Sequence, residues 1–182
     1  MKRFSVWNCF KTKELPMFFV RTASERDLAK VSALLAETWH ATYDALYGAD
    51  KVREITARWH SVPALKARLE HKDSEFVVAD NGKELAGMGY VAMAKDRPKV
   101  AFLHQLYVLP RYQRQGIGRD MFAELETCFP DATTMLLEVD PRNDAAVAFY
   151  YAHGFAKVGE AQHTADNISG VPLDVYEKPL GG

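Results

Sequence analysis

The stretch Leu106-Tyr107-Val108-Leu109-Pro110-Arg111-Tyr112-Gln113-Arg114-Gln115-Gly116-Ile117-Gly118 carries most of what this 182-residue chain reveals about itself. Upstream, Val100 to Val108 is rich in β-branched and aromatic residues and reads as a strand ended by Pro110. Downstream, Met121, Phe122 and Leu125 recur at helical spacing, which predicts a helix from Ile117 to Phe129. A turn rich in small residues between them lets consecutive backbone N–H groups converge, and the helix N-terminus adds its partial positive charge. Such a turn suits a phosphate or pyrophosphate, with Arg111, Arg114 and Arg119 as nearby cations. Two glycines can also do no more than relieve a tight connection. A nucleotide P-loop would need Gly-Lys-Ser or Gly-Lys-Thr, and a dinucleotide-binding turn a third glycine where Met121 stands. Neither pattern is met.

Working outward, Glu75 to Ala79 and Leu85 to Met93 flank Asp80-Asn81-Gly82-Lys83, the turn chemistry of a hairpin. Phe18, Val20 and Thr22 alternate like a short strand, and Ser24 followed by Asp27 resembles a helix start. The helix that follows carries Leu28, Val31, Leu34 and Leu35 on one stripe to about Trp39. From His40 to Leu69 the helical pattern is broken by Gly48 and Pro63, which predicts one or two short helices. On the other side of the turn, Thr134 to Val139 reads as a strand and Asn143 to His153 as a helix stopped by Gly154. Phe155 to Val158 and Val171 to Tyr176 are the last strands. The fold class is therefore α/β with a mixed sheet.

The run Gln113-Arg114-Gln115-Gly116-Ile117-Gly118, placed after a strand ending in Leu106-Tyr107-Val108, resembles the Gln/Arg-x-x-Gly-x-Gly/Ala signature of the GCN5-related N-acetyltransferases. Asn143-Asp144-Ala145-Ala146-Val147-Ala148-Phe149-Tyr150-Tyr151-Ala152-His153-Gly154-Phe155 is similar to that family's second motif, Asn-x-x-Ala-x-x-x-Tyr-x-x-x-Gly-Phe. The resemblance implies a mostly antiparallel central sheet with flanking helices and acetyl-CoA as acetyl donor. It implies that main-chain groups of Leu106, Tyr107 and Val108 pair with the pantetheine arm, as an added strand would. Gln113, Arg114, Gln115, Gly116, Ile117, Gly118 and Arg119 would surround the pyrophosphate, and Asn143 would touch the arm. Within the family, Val108-x-Pro110-x-Tyr112-Gln113-Arg114-Gln115-Gly116 and Leu137-Glu138-Val139 look close to the ribosomal-protein-alanine acetyltransferases.

The same resemblance assigns Tyr150 as donor of a proton to the departing thiolate, a sensible task for a phenol that stays protonated at neutral pH. Tyr151 lies one residue off the pattern and should face elsewhere. The attacking amine must lose a proton, and Glu138 is the candidate acceptor by resemblance, with His104 on the preceding strand as the alternative. An outward Glu138 held in an ion pair is the competing reading. His40, Tyr43 and Tyr47 between the first helices, and His163 and Asp166 in the last polar loop, could meet substrate or simply pack. The expected reaction is direct transfer in a ternary complex to a primary amine of a small molecule or peptide. A non-catalytic acyl-CoA-binding module is the alternative, against which the presence of Tyr150 with Asn143 and Glu138 argues.

The rest of the sequence sets bounds. Hydrophobic residues make up 48% of the chain, enough for one sizeable core, so residues 17–182 are expected to be a single domain after an N-terminal tail or extended start, 1–16. Twenty-three Lys and Arg against 24 Asp and Glu give a net charge of −1, too balanced to point to nucleic acid. No apolar run approaches the length of a membrane span. Cys9 and Cys128 have neither metal-ligand spacing nor a disulfide framework, and no His pairs with them, so no metal is expected. A cytoplasmic setting fits, and a homodimer stays open. Cys128 shares a helix with Phe122 and Leu125 and is expected to pack inside.

Overall fold

A computed structural model describes residues 16–161 and 171–181. The chain runs β1 (Phe19–Thr22), a single 3-10 turn (Glu25–Asp27), α1 (Leu28–Tyr47), α2 (Ala49–Trp59), α3 (Val62–Leu69), β2 (Ser74–Asp80), β3 (Leu85–Met93) and β4 (Val100–Val108). It continues through α4 (Ile117–Thr127), β5 (Thr134–Val139), α5 (Asp144–Ala152), β6 (Ala156–Glu160) and β7 (Asp174–Pro179). The strands form one sheet in the order β1-β2-β3-β4-β5-β7-β6, antiparallel except for the β4–β5 pair. This is the mixed, mostly antiparallel α/β architecture read from the sequence.

The predicted β2–β3 hairpin forms by the expected chemistry. Asp80 Oδ1 accepts from the Gly82 amide at 2.7 Å, and Asn81 Oδ1 accepts from Lys83 and Glu84 at 2.9 and 3.0 Å. At the start of α1, the Ser24 amide and hydroxyl both reach Asp27 Oδ2, at 2.8 and 2.9 Å. Arg21 grips the same carboxylate from β1 at 2.8 Å.

The first helix departs from its expected length. It does not stop near Trp39 but runs to Tyr47, where Gly48 at φ +81° ends it, so that helices fill almost the whole span 40–69. Trp39, Tyr43 and Tyr47 recur every four residues, with ring centroids 4.7 and 5.7 Å apart, and this aromatic stripe continues the buried face beyond the aliphatic one. At the other end of the chain β7 starts three residues later than expected. Its register is set by pairing with β5, from Asp174 opposite Val139 to Pro179 opposite Thr134. The helix expected after Ser24 begins as the 3-10 turn and continues as α1. Most of the predicted tail, and the loop with His163 and Asp166, lie outside the described residues.

Helices cover both faces of the sheet. Met121, Phe122 and Leu125 of α4 pack with Tyr150 of α5 onto Leu103, Met135 and Leu137. Two glycines of β3 permit this closeness: a Cβ on Gly87 would lie 2.7 Å from Met121 Cε and from the Tyr107 carbonyl oxygen, and one on Gly89 2.6 Å from Leu125 Cδ1. On the opposite face Leu28, Val31 and Leu35 of α1 and Leu65 of α3 pack onto Phe76, Val78, Met88 and Tyr90.

Two irregularities in β4 create the site. The β3–β4 register passes from Tyr90↔Gln105 to Val91↔Leu103, so His104 is the extra residue of a β-bulge. A bulge turns two successive side chains toward one face and bends its strand. The parallel β4–β5 ladder ends at Leu103↔Leu137, although β4 continues to Val108 and β5 to Val139. A wedge therefore opens between the two strands in the middle of the sheet.

Candidate active site

At the outer end of the wedge lies the glycine-containing turn. Gly116, the residue before α4, has φ +88°, and Arg114 has φ +61°, so the chain coils tightly enough to turn successive amides the same way. The amides from Arg114 to Arg119 have no hydrogen-bond partner among the described residues. Unmet donors at a helix N-terminus fit an anion such as a pyrophosphate. The glutamines of the motif brace this turn from within. Gln113 Nε2 donates to the Val108 carbonyl at 3.0 Å and Gln115 Nε2 to the Arg111 carbonyl at 3.1 Å. Ile117 is buried and anchors the helix in the core. Of the three arginines expected to serve the turn, Arg111 is drawn away to Glu37 and Glu84, and Arg119 pairs with Asp120.

Along the wedge, β4 from Leu106 to Val108 is paired with β3 on one side and is free of β5 on the other. Strand edges of this kind pair with an extended, amide-bearing arm. Tyr150 reaches the wedge from α5 and Tyr107 from β4. The Tyr150 phenol is pushed above its ordinary range by burial and then by Tyr43; for Tyr107, burial acts first, then Tyr43 and Tyr150. Tyr150 belongs to the cluster under α4, while Tyr107 packs with the cluster under α1. Of the two, Tyr150 contributes to the upward shift of Tyr107. Tyr151 points away and is 53% exposed, its ring against Tyr176.

Asn143 does two structural tasks. As N-cap of α5 its side-chain oxygen accepts from the Ala146 amide at 3.2 Å, and its Nδ2 donates to the Tyr43 hydroxyl at 3.3 Å. Tyr47 donates to Asp140, and Arg142 also holds Asp140, at 3.1 Å. Although burial opposes it, these hydrogen bonds hold the Asp140 carboxyl below its usual range. The extended end of α1 is thus fastened to the loop after β5, directly over the wedge.

Glu138 and His104 share the face covered by α1 to α3. Met135, Leu137 and Val139 point into the α4 cluster, so Glu138 points the other way. Phe102 is in register with Leu136, and one step further along this face lie His104 and Gln105 on β4 and Glu138 on β5. Glu138 is solvent-accessible, has no ion-pair partner among the described residues, and is raised above the usual carboxylate range by burial. The ion-pair reading of Glu138 finds no support in its surroundings. His104 is lowered to about 4 by the protein around it, then by Arg68 and His71. The Cys128 thiol, half-buried, is pushed up to about 11 by burial and then by Glu75, which makes it a poor nucleophile.

His104 lines a cavity of about 560 Å³ between α2, α3, β3 and β4. His60, Arg68 and Gln105 line it and were not singled out from the sequence. A lone glutamine in a strand gives no signal until the bulge turns it inward. Tyr43 and Tyr47 could have been placed on α1 from their spacing with Trp39. Among the described residues no group of His, Cys, Asp and Glu could hold a metal ion, and no helix is long and apolar enough to cross a membrane.

Comparison with known proteins agrees with this geometry. N-alpha-acetyltransferase RimI of Mycobacterium tuberculosis is 32% identical over 136 residues, covering 69% of this chain and 85% of that protein. Peptidyl-lysine N-acetyltransferase YiaC of Escherichia coli is 27% identical over 139 residues, covering 75% and 82%. The crystal structure of the PaiA N-acetyltransferase from Thermoplasma acidophilum, in complex with coenzyme A, superposes with a TM-score of 0.76 at 23% identity, covering 89% of this chain and 98% of that one. The model of the acetyltransferase (GNAT) family matches residues 33–155. The chain belongs to this family of GCN5-related N-acetyltransferases and is an acyltransferase that uses acetyl-CoA.

Proposed function

We propose that the protein moves the acetyl group of acetyl-CoA to a primary amine of a small molecule or peptide by direct attack in a ternary complex. The observation that carries this reading is the β4–β5 wedge, with unpartnered amides at one end and Tyr150 in its wall. In this reading the main chain of Leu106 to Val108 holds the pantetheine arm, the amides from Arg114 to Arg119 hold the pyrophosphate, and Asn143 keeps α5 in place beside the arm. The thioester supplies the activated acetyl group. The amine nitrogen forms the new bond to the carbonyl carbon as the carbon–sulfur bond breaks. The amine proton passes to Glu138, directly or through a water, and the sulfur takes its proton from Tyr150. Glu138 is favoured as the proton acceptor because it has no ion-pair partner among the described residues and its pKa is shifted upward by partial desolvation, whereas that of His104 is shifted downward.

RimI and YiaC are named for α-amino and peptidyl-lysine acceptors, and both classes offer the primary amine this chemistry needs. We read residues 17–182 as one domain, since β1 and β7 belong to the same sheet. The thiol of Cys128 suits a reducing compartment, and we place the activity in the cytoplasm. The test is thiol release from acetyl-CoA across a panel of amines and peptides, native chain against Tyr150→Phe. Loss of about 10²–10⁴ in kcat with acetyl-CoA affinity retained is expected for a lost general acid. An unchanged kcat would remove Tyr150 from the mechanism.

A further inference from the structure

The cavity that His104 lines is one-sided in charge. Its lining includes Arg68, His71, Lys95 and His104 but no Asp or Glu. Arg68 comes from α3 and is half-buried. Its hydrogen bond goes to an uncharged acceptor, from Nη1 to Gln105 Oε1 at 3.2 Å. Among the described residues no carboxylate lies within ion-pair distance of it; Arg26, Arg58, Arg97 and Arg114 also lack one but are exposed, whereas Arg21, Arg53, Arg111, Arg119 and Arg142 each meet one. Burial lowers the Arg68 pKa, and the neighbours that oppose this are the phenols of Tyr90 and Tyr107. A guanidinium withdrawn from water without a counter-ion is costly, and its remaining donors match a carboxylate in geometry.

A second unmet group lies on the same wall. The Gln105 oxygen accepts from Arg68, so its amide nitrogen donates to His60 Nε2, 3.2 Å away. That bond leaves the His60 proton on Nδ1. His60 is 3% exposed, and Nδ1 has no partner. Burial, then Arg68, lowers this imidazole to about 3, so it stays neutral. Around the cavity, therefore, the remaining Arg68 donors meet no carboxylate, and a buried His60 N–H behind the wall meets no acceptor.

We infer that the cavity binds an acceptor amine that carries a carboxylate, with the carboxylate on Arg68 and the amine toward Glu138 and Tyr107. This inference rests on the transferase reading above and names its substrate class. The lining also assists the chemistry. A positive charge nearby lowers the pKa of an ammonium group, as it does for His104, and so favours the free amine that must attack. Trp39, Tyr90, Phe102 and Tyr107 give the body of the acceptor an apolar bed. A polyamine, by contrast, would bring further cations to a wall that offers no carboxylate.

The test compares three acceptors of one length, 6-aminohexanoate, hexylamine and 1,6-diaminohexane, with phosphoethanolamine against β-alanine as a second pair. Native protein should prefer 6-aminohexanoate over hexylamine by about 10–100-fold in kcat/KM, the size of a charge-assisted hydrogen bond. Arg68→Met should bring that ratio close to one, and Arg68→Lys should restore part of it. A preference for hexylamine or the diamine would overturn the inference, as would a ratio that survives Arg68→Met, or an Arg68-dependent preference for phosphoethanolamine. Binding of hexanoate to the CoA-loaded protein, measured by calorimetry, reads the same site without turnover. Arg68-dependent hexanoate binding in a protein that acetylates none of these amines would support the anion site and count against the transferase mechanism. Absence of hexanoate binding, with all three amines acetylated equally, would overturn the anion site and leave that mechanism standing. Thermal melts of both variants identify any loss of folding.

Discussion

The two sides of the wedge recognise by different means. On the α4 side the exposed groups are main-chain amides at a helix start and the free edge of β4, which look the same to any ligand with a phosphate and an amide-bearing arm. On the side of α1 to α3 the polar groups are side chains brought from separate elements: Arg68 from α3, Gln105 and His104 from β4, Glu138 from β5. A main-chain site is written in a short local motif because backbone shape is local. A side-chain pocket depends on how several elements meet, so no short local motif encodes it. One side thus suits a fixed donor and the other a variable acceptor.

The sharpest way to break this contrast is on the acceptor side. Glu138→Gln is expected to lower kcat by about 10²-fold or more if the carboxylate takes the amine proton. The pH profile carries the sign. Because burial raises the Glu138 pKa, native activity should fall as pH drops through that raised value, and the acidic limb should vanish in Glu138→Gln. His104→Gln should leave the limb in place, since His104 at about 4 is already neutral well below the working range. The reverse pattern would transfer the role to His104.

Gly116→Glu addresses the donor side. A non-glycine residue at φ +88° costs about 1–2 kcal/mol, and the carboxylate would stand where the amides converge, so acetyl-CoA affinity should drop roughly tenfold or more. Affinity unchanged by calorimetry would sink the pyrophosphate assignment. Asn143→Ala tests the junction of the two sides. Loss of the α5 cap should reduce stability by about 1 kcal/mol, and loss of the bond to Tyr43 should alter KM for both substrates. A change in melting temperature with both KM values intact would confine Asn143 to capping.

The smallest effect lies far from the wedge and serves as a control. The hydrogen bond from Arg21, against the desolvation of burial, holds the Asp27 carboxyl well below its usual range. Since the folded pKa is depressed, this contribution is complete above the unfolded value near 4 and fades as pH falls below it. Arg21 is 40% exposed along its side chain, so Arg21→Met should cost only about 1 kcal/mol at pH 7. The gap between native and variant melting temperatures should close progressively below pH 4, with kinetics at pH 7 unaltered.

The hairpin at Asp80 to Lys83, the helix after Ser24 and the turn before α4 were legible because each depends on residues within a few positions of one another. The resemblance to the family's second motif separates Tyr150 from Tyr151, which lies one residue off the pattern, and the structure buries the first and exposes the second. The end of α1 was misjudged at Trp39. The residues from His40 to Tyr47 hold their helix through Tyr43 and Tyr47, whose partners Asn143 and Asp140 are about a hundred positions away. His60, Arg68 and Gln105 were passed over for the same reason: each is unremarkable alone and informative only with the other two.

By itself the sequence determined the elements, the glycine turn with its family signature, and the identity of the donor, since these arise from local backbone preference and periodic burial. Only the tertiary structure decided the acceptor side. The bulge at His104 turns Gln105 toward α3, and the β4–β5 ladder ends at Leu103 and Leu137, leaving the rest of β4 free of β5. Burial then sets which groups carry charge, leaving Arg68 without a carboxylate and His60 neutral. Desolvation and partnership belong to a place in the fold, and no residue carries them in its own identity.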